Sequence, residues 1–168
     1  MCIRDRIITV LERPFQKLKI DFNSKQGMKI NYRKEKLGPE EYTIDILQDQ
    51  IIITAFDYPG RFYALISLVH LIFYYYDRLP LGFIQDKPQF NWRGMHLDCA
   101  RQFHSLSQIK RLLNYMALFK LNRFHWHLTD NEAWRLYVKS FPNLAKKTSF
   151  RGYHEIIPPV YGLSLIHI

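Results

Sequence analysis

The chain has 168 residues, of which 48% are hydrophobic and 23% charged, so its composition is that of a globular protein and excludes a disordered or fibrous chain. It carries 24 Lys and Arg against 15 Asp and Glu, a formal net charge of +9. The basic residues are dispersed and form no run of five, which argues against a nucleic-acid partner. Two cysteines, Cys2 and Cys99, are too few for a disulfide scaffold or a Cys-only zinc site.

No targeting or membrane segment is visible in the sequence. Residues 1–6 lack the apolar core of a secretory signal. The most apolar stretch, Phe62–Tyr76, has 15 residues, whereas a membrane span needs roughly 20. This stretch therefore predicts a buried helix, and we expect no membrane span.

The first half of the chain has the pattern of short strands followed by one helix. Apolar residues alternate with polar ones at residues 17–22 and 28–32, which is typical of half-buried strands. Residues 42–47 and 51–56 predict a hairpin, and Pro59-Gly60 precedes the apolar helix. We expect an α+β domain over residues 7–88, an antiparallel sheet with a helix packed on it. Pro80, Gly82 and Pro88 mark its end as a linker.

The second half changes to an alternating strand–helix–strand pattern. Residues 92–100 predict a strand, and a helical repeat of apolar residues follows, with Ser105 or Ser107 as its N-cap. A second strand begins at Arg123 and runs to about Thr129. This is the pattern of a βαβ unit with parallel strands, in a second domain over residues 89–162.

Polar residues follow both strands of this unit. Parallel strands place their carboxyl ends at one edge, where ligands bind, so Arg101 and Asp130 are candidates for gripping a polyhydroxylated ligand. Trp126 and Trp134 could line such a pocket. The alternatives are a surface salt bridge for Arg101 and a turn cap for Asp130.

Two further patterns on the second strand admit both a chemical and a structural interpretation. His125 and His127 share one strand face and could bind a metal, but without an obvious third ligand they are more typical of hydrogen-bonded core histidines. Asp130 and Glu132 are two residues apart and could form the carboxylate pair of a glycosidase, although many loops contain such a pair by chance.

Several of these segments, in order, resemble family 20 glycoside hydrolases, the β-N-acetylhexosaminidases. The resemblance covers about residues 15–157. Its motifs lie in the second domain at residues 92–101, 116–122, 124–130, 131–135 and 141–144, and near the domain boundary at residues 60–65 and 86–90.

The resemblance implies a (β/α)₈ barrel, of which residues 89–162 would form the first βαβ part. Because such barrels have about 250 residues, we expect the chain to be an N-terminal fragment with non-native ends at residues 1–6 and 163–168. The implied reaction is exo-hydrolysis of terminal β-linked GlcNAc or GalNAc by substrate-assisted retention, which needs no cofactor. The Asp-Glu pair of the family is absent from these residues, so the chain alone is expected to be inactive.

The resemblance also implies roles for individual residues. Arg101 matches the arginine that binds hydroxyls of the terminal sugar, and Asp130 matches an aspartate that supports the acid/base. Further support of the active site is implied for His125, His127, Trp126 and Trp134. Relatives act in secreted, periplasmic or lysosomal compartments, and the compartment of this chain is left open. Two alternatives stay open: a metal-dependent hydrolase using His125 and His127, and a non-catalytic carbohydrate-binding fragment.

Overall fold

A computed structural model describes residues 27–75, 78–131 and 133–148, apart from the side chains of residues 145 and 146. The chain divides into two compact units between Asn91 and Trp92. The strand predicted at residues 17–22 and the two end segments lie outside the described residues. Among the helices of the described ranges, none is long and apolar enough to cross a membrane.

The first unit contains a four-stranded sheet of mixed direction. Its strands are β1 (Lys29–Arg33), β2 (Tyr42–Ile46), β3 (Gln50–Ala55) and β4 (Gly82–Asp86), in the order β1-β3-β2-β4. The predicted hairpin is confirmed, because β2 and β3 pair antiparallel.

Two predictions for this sheet are wrong. Strand β1 pairs parallel with β3, so the sheet is mixed and not purely antiparallel. Alternation assigns residues to faces, but it does not tell whether a strand pairs with its successor or with the one after it. The segment predicted to be a linker contains strand β4, which pairs antiparallel with β2. Pro80 and Pro88 do not prevent this pairing, because they lie outside the paired residues and leave every ladder bond intact.

The core of this unit lies between the sheet and helix α1 (Tyr58–Tyr75). The sequence predicts that the helix starts at Arg61, after Pro59-Gly60, but it begins three residues earlier, at Tyr58. Asp57 caps this start, because its carboxylate accepts a hydrogen bond from the backbone N–H of Gly60 at 2.8 Å. Apolar residues of β2, β3 and α1 form one cluster. Its buried members are Tyr42, Ile44, Ile46, Ile51, Ile53, Ala55, Tyr63, Ala64 and Leu68.

Gly60 lies where helix α1 approaches the backbone that precedes β2. A Cβ atom at this position would lie 2.7 Å from the carbonyl oxygen of Glu41 and 2.9 Å from Asp57 Oδ1. Gly60→Ala is therefore expected to destabilise this unit by about 1–3 kcal/mol, although alanine normally favours a helix. Thermal unfolding followed by circular dichroism measures the change. Gly82→Ala is the matched control, since a Cβ at Gly82 meets nothing within 4 Å; equal midpoints for the two variants would contradict the prediction.

The second unit begins with the predicted βαβ arrangement. Strand β5 (Gly94–Asp98), helix α2 (Leu106–Leu118) and strand β6 (Arg123–His127) follow one another, and the two strands pair parallel, which confirms the prediction. Ser105 is the N-cap of α2: its side chain accepts from the backbone N–H of Gln108, whose side chain accepts in return from the N–H of Ser105.

Helix α2 ends in a turn that leads directly into β6. The N–H of Leu121 donates to the carbonyl of Met116 at 2.8 Å, and the N–H of Lys120 donates to that of Ala117 at 3.0 Å. Lys120 has a left-handed backbone, φ 56°, as this termination requires. Arg93 then holds the turn against the start of β5, because its side chain donates to the carbonyl of Lys120 at 2.8 Å.

The two faces of the β5–β6 pair differ in polarity. Leu97, Phe124 and Trp126 face α2 and pack with the buried Cys99 and Ile109. The other face carries four polar side chains in register: His96 beside His125, and Asp98 beside His127. The unit continues with β7 (Thr129–Asp130), β8 (Ala133–Trp134) and helix α3 (Pro142–Thr148).

Candidate functional site

The carboxyl end of β5 is organised by the side chain of Asp98. Its Oδ1 accepts from the backbone N–H of Ala100 at 2.9 Å and from that of Arg101 at 3.0 Å. Burial opposes ionisation of Asp98, but these two N–H groups and the charge of Arg101 outweigh it, so its pKa is lowered. The turn places the Arg101 guanidinium on the polar face, with Nη1 at 3.1 Å from Asp98 Oδ2.

Asp130 lies at the corresponding end of β6. It is the last residue of β7, which pairs antiparallel with β8 in a two-residue ribbon. Asp130 Oδ1 accepts from the N–H of Asn131 at 2.7 Å, while Oδ2 meets both Arg101 Nη1 and, at 3.0 Å, His127 Nε2. The N–H of Asn131, followed by His127 and Arg101, lowers the pKa of Asp130 and keeps its carboxylate ionised.

Arg101, Asp130 and His127 thus form one polar cluster beyond the ends of two parallel strands. The side chains are 47%, 26% and 27% exposed, so a ligand in solution can reach them. Within the part of the chain that the structure describes, only Nη1 of the guanidinium makes polar contacts. Nε and Nη2 of Arg101 therefore remain available to donate to hydroxyl or carbonyl oxygens.

The two tryptophans predicted to line the site have different positions. Trp126 lies on the opposite face of β6, where its Nε1 donates to Cys99 Sγ at 3.2 Å, so the structure does not bring it to the polar cluster. Burial raises the pKa of the Cys99 thiol and keeps it in the neutral form. Trp134 is half-buried on β8, and its Nε1 donates to the carbonyl of Leu136 at 2.6 Å. Glu132 lies outside the described residues.

Arg135 is fully buried next to the ribbon that carries Asp130. Its Nε donates to the carbonyl of Cys99 at 3.0 Å, and its backbone N–H donates to the carbonyl of Leu128 at 3.0 Å. The guanidinium lies 6.0 Å from the ring centroid of Phe103. Arg135 therefore joins the end of β5 to the segment that follows β8, which holds the two halves of the polar cluster together.

Two residues of the polar face were not singled out from the sequence as site residues. Asp98 positions Arg101, and His96 stands beside His125 with ring centroids 4.7 Å apart. The alternation His96-Leu97-Asp98 places both on one face. Their closeness to His125 and His127 follows from the register between β5 and β6, which the sequence does not specify.

A parallel βαβ unit whose strands end in an exposed arginine, a carboxylate and a histidine is the arrangement of an α/β enzyme that binds its ligand at the carboxyl edge. Residues 90–163 match the family profile "Glycosyl hydrolase family 20, catalytic domain", and the chain belongs to this family.

Relatives of known function agree with this assignment. The chain is 42% identical over 124 residues to a β-hexosaminidase of Vibrio furnissii, a match that covers 73% of this chain and 20% of the relative. It is 43% identical over 106 residues to an N,N'-diacetylchitobiase of Vibrio harveyi, a match that covers 62% of this chain and 12% of that relative. The chain thus spans a fifth or less of the length of these relatives.

Solved structures show the same similarity in three dimensions. The inactive D437A variant of a family 20 exo-β-N-acetylglucosaminidase from Vibrio harveyi superposes with a TM-score of 0.78 at 35% identity, over 95% of this chain and 26% of that one. A β-N-acetylhexosaminidase from Bacteroides fragilis gives a TM-score of 0.74 at 29% identity, over 95% of this chain and 34% of that one.

Proposed function

We propose that this chain is part of an exo-acting β-N-acetylhexosaminidase that removes terminal β-linked GlcNAc or GalNAc from oligosaccharides or glycoconjugates. The observation that carries the proposal is the Arg101–Asp130–His127 cluster, which lies at the carboxyl ends of β5 and β6, within the region that matches the family. The names of the relatives supply the sugar: β-hexosaminidase, chitobiase and N-acetylglucosaminidase.

In this proposal, residues 89–162 begin a (β/α)₈ barrel and residues 7–88 form the α+β domain before it. Strands β5 and β6 are then neighbouring barrel strands, with α2 on the outside. The distribution of side chains supports this arrangement, since the apolar face of the strands packs on α2 and the polar face with His96 and His125 is left for the interior.

Arg101 is the sugar-binding residue of the proposed site. Nη1 is held by Asp98 and Asp130, which fixes the plane of the guanidinium, while Nε and Nη2 donate to hydroxyl oxygens of the terminal sugar. Asp130, which follows β6, is oriented by Asn131 and His127. In this proposal its carboxylate supports the acid/base residue of the whole enzyme.

The chemistry proposed for the whole enzyme is substrate-assisted. The acetamido oxygen of the sugar attacks its own anomeric carbon while a glutamic acid protonates the departing glycosidic oxygen. Water, activated by the same glutamate, then opens the cyclic intermediate and restores the configuration. The 168 residues contain no adjacent Asp-Glu pair, so these residues by themselves are expected to give no turnover.

A chimera tests this function directly. Residues 90–163 replace the aligned segment of the Vibrio furnissii β-hexosaminidase, which supplies the rest of the barrel. We expect the chimera to hydrolyse a chromogenic N-acetyl-β-glucosaminide, with activity that survives EDTA, whereas the 168-residue chain does not. Circular dichroism is used to check that the chimera and the 168-residue chain are folded.

Each other outcome has a defined meaning. A folded chimera without turnover would overturn the assignment of Arg101 and Asp130 to this reaction and favour the carbohydrate-binding alternative. Activity that EDTA removes would favour the metal-dependent hydrolase using His125 and His127. Turnover by the 168-residue chain alone would show that its own residues supply the acid/base.

A further inference from the structure

Three histidines converge on the polar face of the β5–β6 pair. His125 and His127 are two residues apart on β6, and His96 pairs with His125 across the parallel ladder. The ring centroid of His96 lies 4.7 Å from that of His125 and 5.6 Å from that of His127. One ring nitrogen from each residue can be chosen so that all three atoms lie within 4.8 Å of one another.

We propose that these three histidines, the three-histidine face, bind one divalent transition-metal ion of the Zn²⁺ class. Neutral imidazoles are preferred ligands of such ions, and three of them leave a fourth tetrahedral position for water. Zn–N bonds of about 2.0–2.1 Å require nitrogens about 3.4 Å apart in a tetrahedral site. The nitrogens of this cluster lie within 4.8 Å of one another, so binding of the ion requires the three side chains to move closer together.

The hydrogen bonding of the cluster favours a ligand over an internal network. Among the described residues, His96 and His125 make no hydrogen bond, and both are exposed. Imidazoles that stabilise a core are normally hydrogen-bonded, whereas the ring nitrogens of these two residues have no hydrogen-bond partner in the described part of the chain.

His127 already has the partner that an oriented metal ligand needs. Its Nε2 is held by Asp130 Oδ2 at 3.0 Å, which leaves Nδ1 as the proposed ligand atom. A carboxylate on the second ring nitrogen fixes the tautomer of a metal-bound histidine and raises its basicity.

The local charge also favours a cation. The guanidinium of Arg101 approaches His127 Nε2 at 3.3 Å and would by itself repel a metal ion. It lies between the carboxylates of Asp98 and Asp130, however, which carry two negative charges against its one.

The test is a titration of the untagged, chelator-stripped 168-residue chain with ZnCl₂ in a calorimeter. We expect one ion per chain and a thermal midpoint that rises with the Zn²⁺ concentration. His96→Gln and His125→Gln are each expected to lower the affinity by about 10-fold to 100-fold or more. His104→Gln is the matched control, because His104 belongs to the same unit but not to the three-histidine face.

Cobalt(II) gives a second readout, since three imidazoles and a water produce the strong visible bands of a tetrahedral site. Absence of Zn²⁺ binding would overturn the proposal, and so would equal affinity in the wild type and in either glutamine variant with a wild-type circular dichroism spectrum. His96→Gln changes β5 and His125→Gln changes β6, so the affinity of one variant still tests the proposal if the other variant does not fold. Either result leaves the glycosidase assignment intact, because that assignment predicts EDTA-resistant turnover.

Discussion

Arg101→Ala in the chimera is expected to lower kcat/KM for the chromogenic N-acetyl-β-glucosaminide by about 100-fold or more. A hydrogen bond to a charged group contributes roughly 1.5–3 kcal/mol, and each 1.36 kcal/mol corresponds to a factor of ten in rate. Both carboxylate partners of Arg101 contact Nη1, which leaves Nε and Nη2 as donor positions for the sugar. Steady-state kinetics measure the loss, and its division between kcat and KM shows whether the contact strengthens in the transition state.

Two variants separate sugar binding from a structural role of Arg101. Arg101→Lys keeps the charge but loses the planar set of donors, so it is expected to recover only a small part of the activity. Arg111→Ala removes an exposed arginine of α2 and is expected to leave kcat/KM unchanged. Because the ion pairs of Arg101 are partly exposed, Arg101→Ala is expected to leave the free energy of unfolding nearly unchanged. Activity within threefold of the parent chimera would contradict the sugar-binding role.

Local patterning was sufficient to predict the βαβ unit and to narrow the N-cap of its helix to Ser105 or Ser107. The alternation at residues 94–98 and 123–127 and the apolar repeat of α2 each match one element, and Ser105 has the capping-box partner Gln108 three residues later. The hairpin of β2 and β3 was equally accessible, because its strands are joined by a short loop. These features depend on residues that are close in sequence.

What the sequence could not provide depends on pairing between distant residues. Three features follow from the register of strands whose paired residues are 21 to 44 positions apart in the sequence. They are the parallel partner of β1, the edge strand β4 and the proximity of His96 to His125. Arg101 and Asp130 were predicted to lie at one edge because parallel strands share that edge. Their direct contact depends on the β7–β8 ribbon, whose two-residue strands are too short to leave a pattern.

Arg135→Ala is expected to be the most destabilising single change in the second unit, by about 3 kcal/mol or more. The side chain is fully buried, so alanine leaves a cavity and exposes the Cys99 carbonyl to an apolar surrounding without its donor. Burial lowers the pKa of Arg135, and Nε donates in the charged form. Urea unfolding of the chimera and its Arg135→Ala variant measures the difference in the free energy of unfolding.

The contrast between the two arginines distinguishes the folding of the site from its chemistry. Arg135 does not contact the sugar in the proposed arrangement, so Arg135→Ala is expected to lose activity in proportion to the unfolded fraction and to retain KM where folded protein remains. Arg101→Ala is expected to show the reverse, near-native stability with a large loss of kcat/KM. If Arg135→Ala instead unfolds at the same urea concentration as the parent chimera, the link between Cys99 and the segment after β8 does not stabilise this edge, and another contact must hold Asp130 against Arg101.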